Sequence, residues 1–192
     1  MIPPIQAIDL ARQLIVGYEG LGGAHPDGKY YPYHCGADKP GVMTEGNGHL
    51  IKSPEELARF SKGLTLAEVS QLFELDLKPR ADRLHMLLNG VYTAEQFAAC
   101  LSLYYNIEQP FAPGMSVGTR HKKGDYRGAA AGMLLYVMSD GKKQLGLYRR
   151  RMSEALCYLT GEVLIAKTGQ AEAKLETRLR QVLTFVRPKG LQ

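Results

Sequence analysis

"DKPGVMTEGNGHL", Asp38 to Leu50, places an acid, a hydroxyl, three glycines and a histidine in one short run. Gly41, Gly46 and Gly48 fall within eight residues, a density that cannot fill a core. It implies tight backbone turns, or a surface that another molecule approaches closely. A phosphate cradle is excluded, because the order Gly-x-x-x-x-Gly-Lys-Ser/Thr does not occur. An EF-hand is excluded as well, since acids at alternating positions closing on a Glu are absent. His25, Asp27, His34, Cys35 and His49 show no strong ligand spacing, so no metal is implied. A bare hairpin and one wall of a catalytic cleft remain.

The flanks frame this run with helices. Upstream, Ile5, Ile8, Arg12 and Ile15 recur at helical spacing, and Gly17 or Gly20 can end the helix. Residues from about 20 to 52 are rich in Gly, Pro and Asp with Tyr and Val interspersed, which predicts turns and a small irregular sheet. Downstream, Ser53 with Glu56 forms a capping box with Pro54 at the first helical position. Thr65 caps a run carrying Leu66, Val69, Leu72 and Phe73, in which Pro79 predicts a kink or a division. Thr93 and Gln96 open a segment apolar enough to be a central, buried helix. "GDYRGAAAGMLLYVM" (124–138) and "LGLYRRRMSEALCYLTG" (145–161) read as two further helices. In the tail, Leu175, Leu179, Val182 and Val186 form one apolar stripe beside six Lys/Arg between Lys167 and Lys189.

The whole chain sets the bounds. Its 192 residues suit one domain with a real core, and 45% hydrophobic with 22% charged residues is ordinary globular composition. No apolar run reaches the ~18 residues of a membrane span, and no secretory signal is visible at the N-terminus. Cys35, Cys100 and Cys157 are odd in number and widely spaced, against a disulfide framework and in keeping with a reducing compartment. A net charge of +5 favours anionic partners such as nucleic acid, anionic lipid or acidic wall polymers.

Two carboxylates carry the chemistry. Glu19 ends the apolar first helix, and Asp38 opens the glycine-rich run. An acid at a helix end facing an acid on a hairpin suits glycosidic cleavage, one protonating the leaving oxygen and the other activating water. Thr44, six residues after Asp38, offers a hydroxyl to hold that water. Burial at the helix end would favour the protonated form of Glu19. The competing reading is that both acids cap or solvate. No Gly-x-Ser-x-Gly elbow offers a nucleophile, and Cys100 falls within an apolar helix as a structural thiol.

The ordered pattern D-x5-T-x-G-x-G-H-L, preceded by Glu19-Gly20, resembles the phage-type lysozymes of glycoside hydrolase family 24. "LTLAEVSQLFELDL" (64–77), "EQFAACLSLYYNI" (95–107), "GDYRGAAAGMLLYV" (124–137) and "GLYRRRMSEALCYLTG" (146–161) extend the likeness over roughly residues 5 to 161. The resemblance implies an α+β, mostly helical, lysozyme-like fold: a small β-hairpin lobe, a helical lobe, and the active-site cleft between them. In such a single domain, 20–52 is the turn-rich β region, 53–161 the helical lobe and 162–192 a C-terminal amphipathic extension. By the same resemblance Glu19 is the general acid, Asp38 the second carboxylate and Thr44 the water-positioning hydroxyl. Gly46 and Asn106 line the sugar chain, and His49 with Asp76 ties the hairpin to the helices.

The activity implied is that of a muramidase of the endolysin kind, cutting the β-1,4 bond between N-acetylmuramic acid and N-acetylglucosamine. Peptidoglycan strands are the implied partner. The basic, apolar-striped tail, which lies outside the family pattern, could rest on an anionic membrane or wall surface, but packing on its own domain is the favoured reading. No cofactor and no nucleic acid are implied. The protein would accumulate in the host cytoplasm until a holin lesion opens, or travel with the virion. A lytic transglycosylase, a chitinase-like hydrolase and a non-catalytic wall-binding protein are the alternatives. This chain departs from the family pattern in a longer interval between Glu19 and Asp38, which offers Asp27 as a rival. It also carries polar Glu45 and Asn47 at positions that are commonly apolar.

Overall fold

A computed structural model describes residues 4–34 and 43–191. It is mostly helical, with two small antiparallel strand pairs, and the chain divides into two compact units. One is formed by residues 19–79 and the other by 1–18 together with 80–192.

The smaller, hairpin unit holds β1 (Thr44–Glu45), β2 (His49–Leu50), α2 (Pro54–Phe60) and the start of α3 (Leu66–Leu87). Isolated bridges Ala24 to Tyr30, Tyr30 to Leu64 and Tyr33 to Thr44 add the irregular sheet around the hairpin. Ser53 caps α2 by accepting from the Glu56 N–H at 3.2 Å, while Glu56 accepts from the Lys52 N–H at 2.8 Å. Phe60, Leu64 and Val69 form the unit's core, with Tyr30, Ile51 and Leu72 packed against it. Leu66, expected on the packed face of α3, is exposed instead. Pro79 does not break α3, which runs unbroken through it. The proline removes one N–H bond, to the carbonyl of Leu75. That residue is 72% exposed, so the orphaned carbonyl lies on the solvent side.

The larger, helical unit holds most of α1 (Ile5–Glu19), the rest of α3, α4 (Ala94–Asn106), α5 (Ser116–Lys122), α6 (Tyr126–Met133), β3 (Met138–Ser139), β4 (Lys142–Lys143), α7 (Leu145–Thr160) and α8 (Gly169–Val182). α1 buries Ala7, Ala11, Leu14 and Ile15, while Ile5 is 70% exposed, so the packed face is rotated from the one its isoleucines suggested. α4 carries the expected Thr93–Gln96 capping box and is buried from Gln96 to Tyr104. The 124–138 segment is not one helix. α6 stops at Met133, and Met138 enters a hairpin whose Asp140-Gly141 turn has positive φ at both residues.

α7 packs on α4, α6 and α8 and forms the centre of this unit. Between α4 and α7 lies a buried charge cluster. Glu154 accepts from the Ser102 hydroxyl at 2.7 Å and from Arg150 Nε at 3.1 Å, and Arg151 Nε lies 3.1 Å from its other oxygen. Arg150 also donates to the Ser102 carbonyl, and Arg151 to Asn106 Oδ1 at 2.8 Å. Every donor comes from a named position on two helices, so the cluster fixes their register.

α8 buries Leu175 and Leu179, and the stripe continues to Leu183 rather than to Val186, which is 87% exposed. α8 ends at Val182, so the next helical position falls beyond its last turn. Ion pairs reinforce the packing: Glu172 meets Arg149 and Arg187 at 2.7 Å each, and Arg178 meets Glu162 at 2.7 Å. Among the described residues no helix is long and apolar enough to cross a membrane.

Removing one partner from the α4–α7 cluster leaves buried charge uncompensated. Glu154→Ala is expected to lower stability by about 3–5 kcal/mol, read from denaturant melts. Arg178→Ala, on an exposed pair, should cost about 1 kcal/mol or less.

Candidate functional site

The glycine-rich run folds as the tip of a hairpin. Thr44 pairs with Leu50 and Glu45 with His49, leaving Gly46, Asn47 and Gly48 as the turn. Gly46 (φ +55°) and Gly48 (φ +94°) occupy backbone space that side chains disfavour. Space is also short at Gly46, where a Cβ would come within 2.5 Å of Val69 Cγ1 on α3.

Three bonds hold the turn against the chain that leaves α1. The Gly22 N–H donates to the Gly46 carbonyl at 3.1 Å, and the Tyr33 hydroxyl donates to the same oxygen at 3.2 Å. The Asn47 side-chain amide donates to the Gly20 carbonyl. Tyr33 and Thr44 also exchange both backbone bonds at 2.8 Å. Glu19, the last residue of α1, is thereby set beside the turn, with Oε2 3.9 Å from where a Gly48 Cβ would stand. Its neighbour Tyr18 is anchored within the helical unit, donating to the Arg149 carbonyl at 3.0 Å and accepting from the Ala166 N–H at 3.2 Å.

Glu19 is exposed, contrary to the burial expected at an apolar helix end. The helix turns its alanines and leucine inward and leaves its final residue at the surface. Thr44 is buried in the hairpin. Asp38 lies outside the described residues. Its rival Asp27 is engaged in a local turn, accepting from the Lys29 N–H at 2.9 Å and the Tyr31 hydroxyl at 2.7 Å. The bond from Tyr31, then that from Lys29, holds the Asp27 carboxyl below its usual range.

His49 Nδ1 donates to Asp76 Oδ2 at 2.8 Å, linking the hairpin to α3. Its Nε2 lies 3.6 Å from Glu56 Oε1 on α2, and its ring meets Phe60 edge-on. The Asp76 hydrogen bond pushes the imidazole pKa up, with burial opposing and Glu56 adding to the rise. Asn106 belongs to the helical unit, at the exposed end of α4, where it accepts from Arg151.

The hairpin unit thus brings Glu19, Thr44, Gly46, His49 and Asp76 onto one hairpin and its supports. Four contributors went unread in the sequence: Gly22, Tyr33, Asn47 and Glu45. The first three donate to backbone carbonyls whose location leaves no trace in the sequence. Asn47, like Glu45, was legible only as a polar residue at a commonly apolar position. Glu45 is 0% exposed, neither carboxyl oxygen has a hydrogen-bond partner among the described residues, and burial pushes its pKa up to about 7.

Comparison with known proteins agrees with this architecture. The endolysin of Salmonella phage P22 is 28% identical over 120 residues, 62% of this chain and 82% of that protein. The endolysin from Escherichia coli O157:H7 phage FAHEc1 superposes with a TM-score of 0.61 at 23% identity, over 85% of this chain and 96% of its own. The muramidase domain of SpmX from Asticaccaulis excentricus gives 0.62 at 26% identity, over 78% and 95%. The active form of P1 phage endolysin Lyz gives 0.62 at 22%, over 79% and 84%. The phage lysozyme family model matches residues 25–154, from just after Glu19 through the hairpin, α4 and the Glu154 cluster, and the chain belongs to the phage lysozyme family.

Proposed function

We propose that this protein is a peptidoglycan-degrading endolysin, a muramidase that hydrolyses the β-1,4 bond between N-acetylmuramic acid and N-acetylglucosamine. The observation that carries the reading is the placement of the Glu19 carboxyl beside Gly48, at the tip of a hairpin that bears the family's Thr-x-Gly-x-Gly-His order.

In this reading Glu19 protonates the leaving glycosidic oxygen. Asp38 and Thr44 hold the water, on the strength of the six-residue step between them and the turn chemistry of Asp27. An oxocarbenium-like transition state gains from the Asp38 charge. Gly46 and Gly48, lacking side chains, leave room for the sugar. Asn106 is assigned a place along the glycan by family likeness. His49 with Asp76 holds the hairpin on α3 and takes no part in proton transfer.

Lysis places the enzyme's work at the wall, with release through a holin lesion as the route. The apolar stripe of α8 is buried and its arginines are paired, which leaves that helix little to offer a membrane.

Mass spectrometry of peptidoglycan digests tests the reaction. Reducing ends at muramic acid are expected; anhydro-muramic ends would make the enzyme a lytic transglycosylase and overturn the hydrolytic assignment. Glu19→Gln should fold normally and lose about 10²–10⁴-fold in kcat. Asp38→Asn should lose most activity while Asp27→Asn keeps it, and the reverse order would move the second carboxylate to Asp27. Removing residues 170–192 should leave co-sedimentation with anionic vesicles unchanged; a loss of binding would restore a membrane role to the tail.

A further inference from the structure

Glu45 stands directly after Thr44 on β1, wholly buried, with both carboxyl oxygens unpartnered among the described residues. An ionised carboxylate in such a place is strongly disfavoured, and proteins normally supply a cation or donors to offset it. The helical unit does so for Glu154, with Ser102, Arg150 and Arg151. Among its described residues, the hairpin unit does not do so for Glu45.

The groups around it offset that burial only in part. Across the ladder stands His49, and that imidazole already serves Asp76 on α3 and Glu56 on α2. At the turn, on the chain leaving α1, stands the carboxyl of Glu19. From α3 the turn meets Val69, which is apolar. One histidine is therefore shared with two other carboxyls, Asp76 and Glu56. The Gly46 N–H at the turn and then the His49 charge favour the Glu45 anion, but less than burial disfavours it.

We propose that Glu45 is a proton-dependent lock on the hairpin: while neutral it keeps β1 buried beside Thr44, and its ionisation loosens the strand that positions Thr44 and Gly46. The consequence for activity rests on the muramidase reading; the lock itself does not. Ionised Glu45 must reach water, and it can do so only by drawing β1 away from its bonds to Tyr33. The same movement frees the Gly46 carbonyl from Gly22 and Tyr33, and with it the turn beside Glu19.

The sign follows from linkage. An unfolded chain releases this proton near 4.5, whereas the folded hairpin holds it to about 7. Between those values the folded state binds a proton that the unfolded state has lost, so stability falls as pH rises and the loss is complete above 7. His49, also raised, adds a separate decline that begins above its ordinary 6.5. Glu45→Gln removes the first and keeps the second, so the difference between the two proteins isolates Glu45.

Three readouts test the lock. Carboxyl carbon NMR of the wild-type protein should show Glu45 titrating near 7; a midpoint in the ordinary carboxylate range overturns the proposal. Amide exchange at Thr44 and Gly48 should accelerate, beyond the intrinsic pH effect, from pH 6 to 8 in wild type and not in Glu45→Gln or Glu45→Ile. Wall-clearing activity should fall on the alkaline side in wild type and persist about a full pH unit further in Glu45→Gln. Identical stability, exchange and activity profiles for wild type and Glu45→Gln would sink the idea. The NMR and exchange arms need no substrate, so an inactive enzyme would count against the muramidase reading alone.

Discussion

The turn at Gly46, Asn47 and Gly48 is the constraint around which the hairpin unit is arranged. Its backbone must curve through positive φ at two positions while lying flat against Val69. Side chains at either glycine would strain the backbone, and at Gly46 one would also strike α3. Once the turn lies there, its carbonyl and side-chain amide reach the Gly20–Gly22 stretch. That contact sets Glu19 beside Gly48. The position of the proposed acid is therefore a property of the turn as much as of the helix that carries it.

The two units handle buried charge in opposite ways. In the helical unit Glu154 is surrounded by donors from α4 and α7, so its charge is kept and used to hold two helices in register. Ion pairs within a low-dielectric interior bring specificity of geometry more readily than net stability. In the hairpin unit Glu45 has no such shell among the described residues, and neutrality is the physical alternative.

The site was partly legible from residue order. Thr44, His49 and Asp76 could be read because each carries its chemistry in its own side chain, and the glycines because each marks a turn by lacking one. The His49–Asp76 bond of 2.8 Å joins residues whose roles family likeness had paired. Tyr33, Gly22 and Asn47 could not be read, because what they contribute is a bond to a distant carbonyl. The Asp140-Gly141 hairpin was legible and was passed over: an Asp-Gly pair between short strands is a strong turn signal. The packed face of α1 was misjudged because isoleucines mark hydrophobicity, whereas the buried face is made by Ala7, Ala11, Leu14 and Ile15, with Ile5 at the surface.

What the sequence determined by itself was local and periodic. The side-chain cap at Ser53, the capping box at Thr93, the buried run of α4 and the turn glycines all follow from rules that act over a few residues. Tertiary structure alone decided which helix face met a neighbour, that α3 would continue through Pro79, and that the tail's stripe would end at Leu183. It decided much of the environment of the carboxylates as well. Glu154 has Arg150 and Arg151 one helical turn before it, a pairing that helical spacing makes legible, whereas no arginine or lysine near Glu45 in sequence offers such a partner at that spacing. The Ser102 hydroxyl that completes the Glu154 cluster, and the burial of both carboxylates, exist only once distant segments have met.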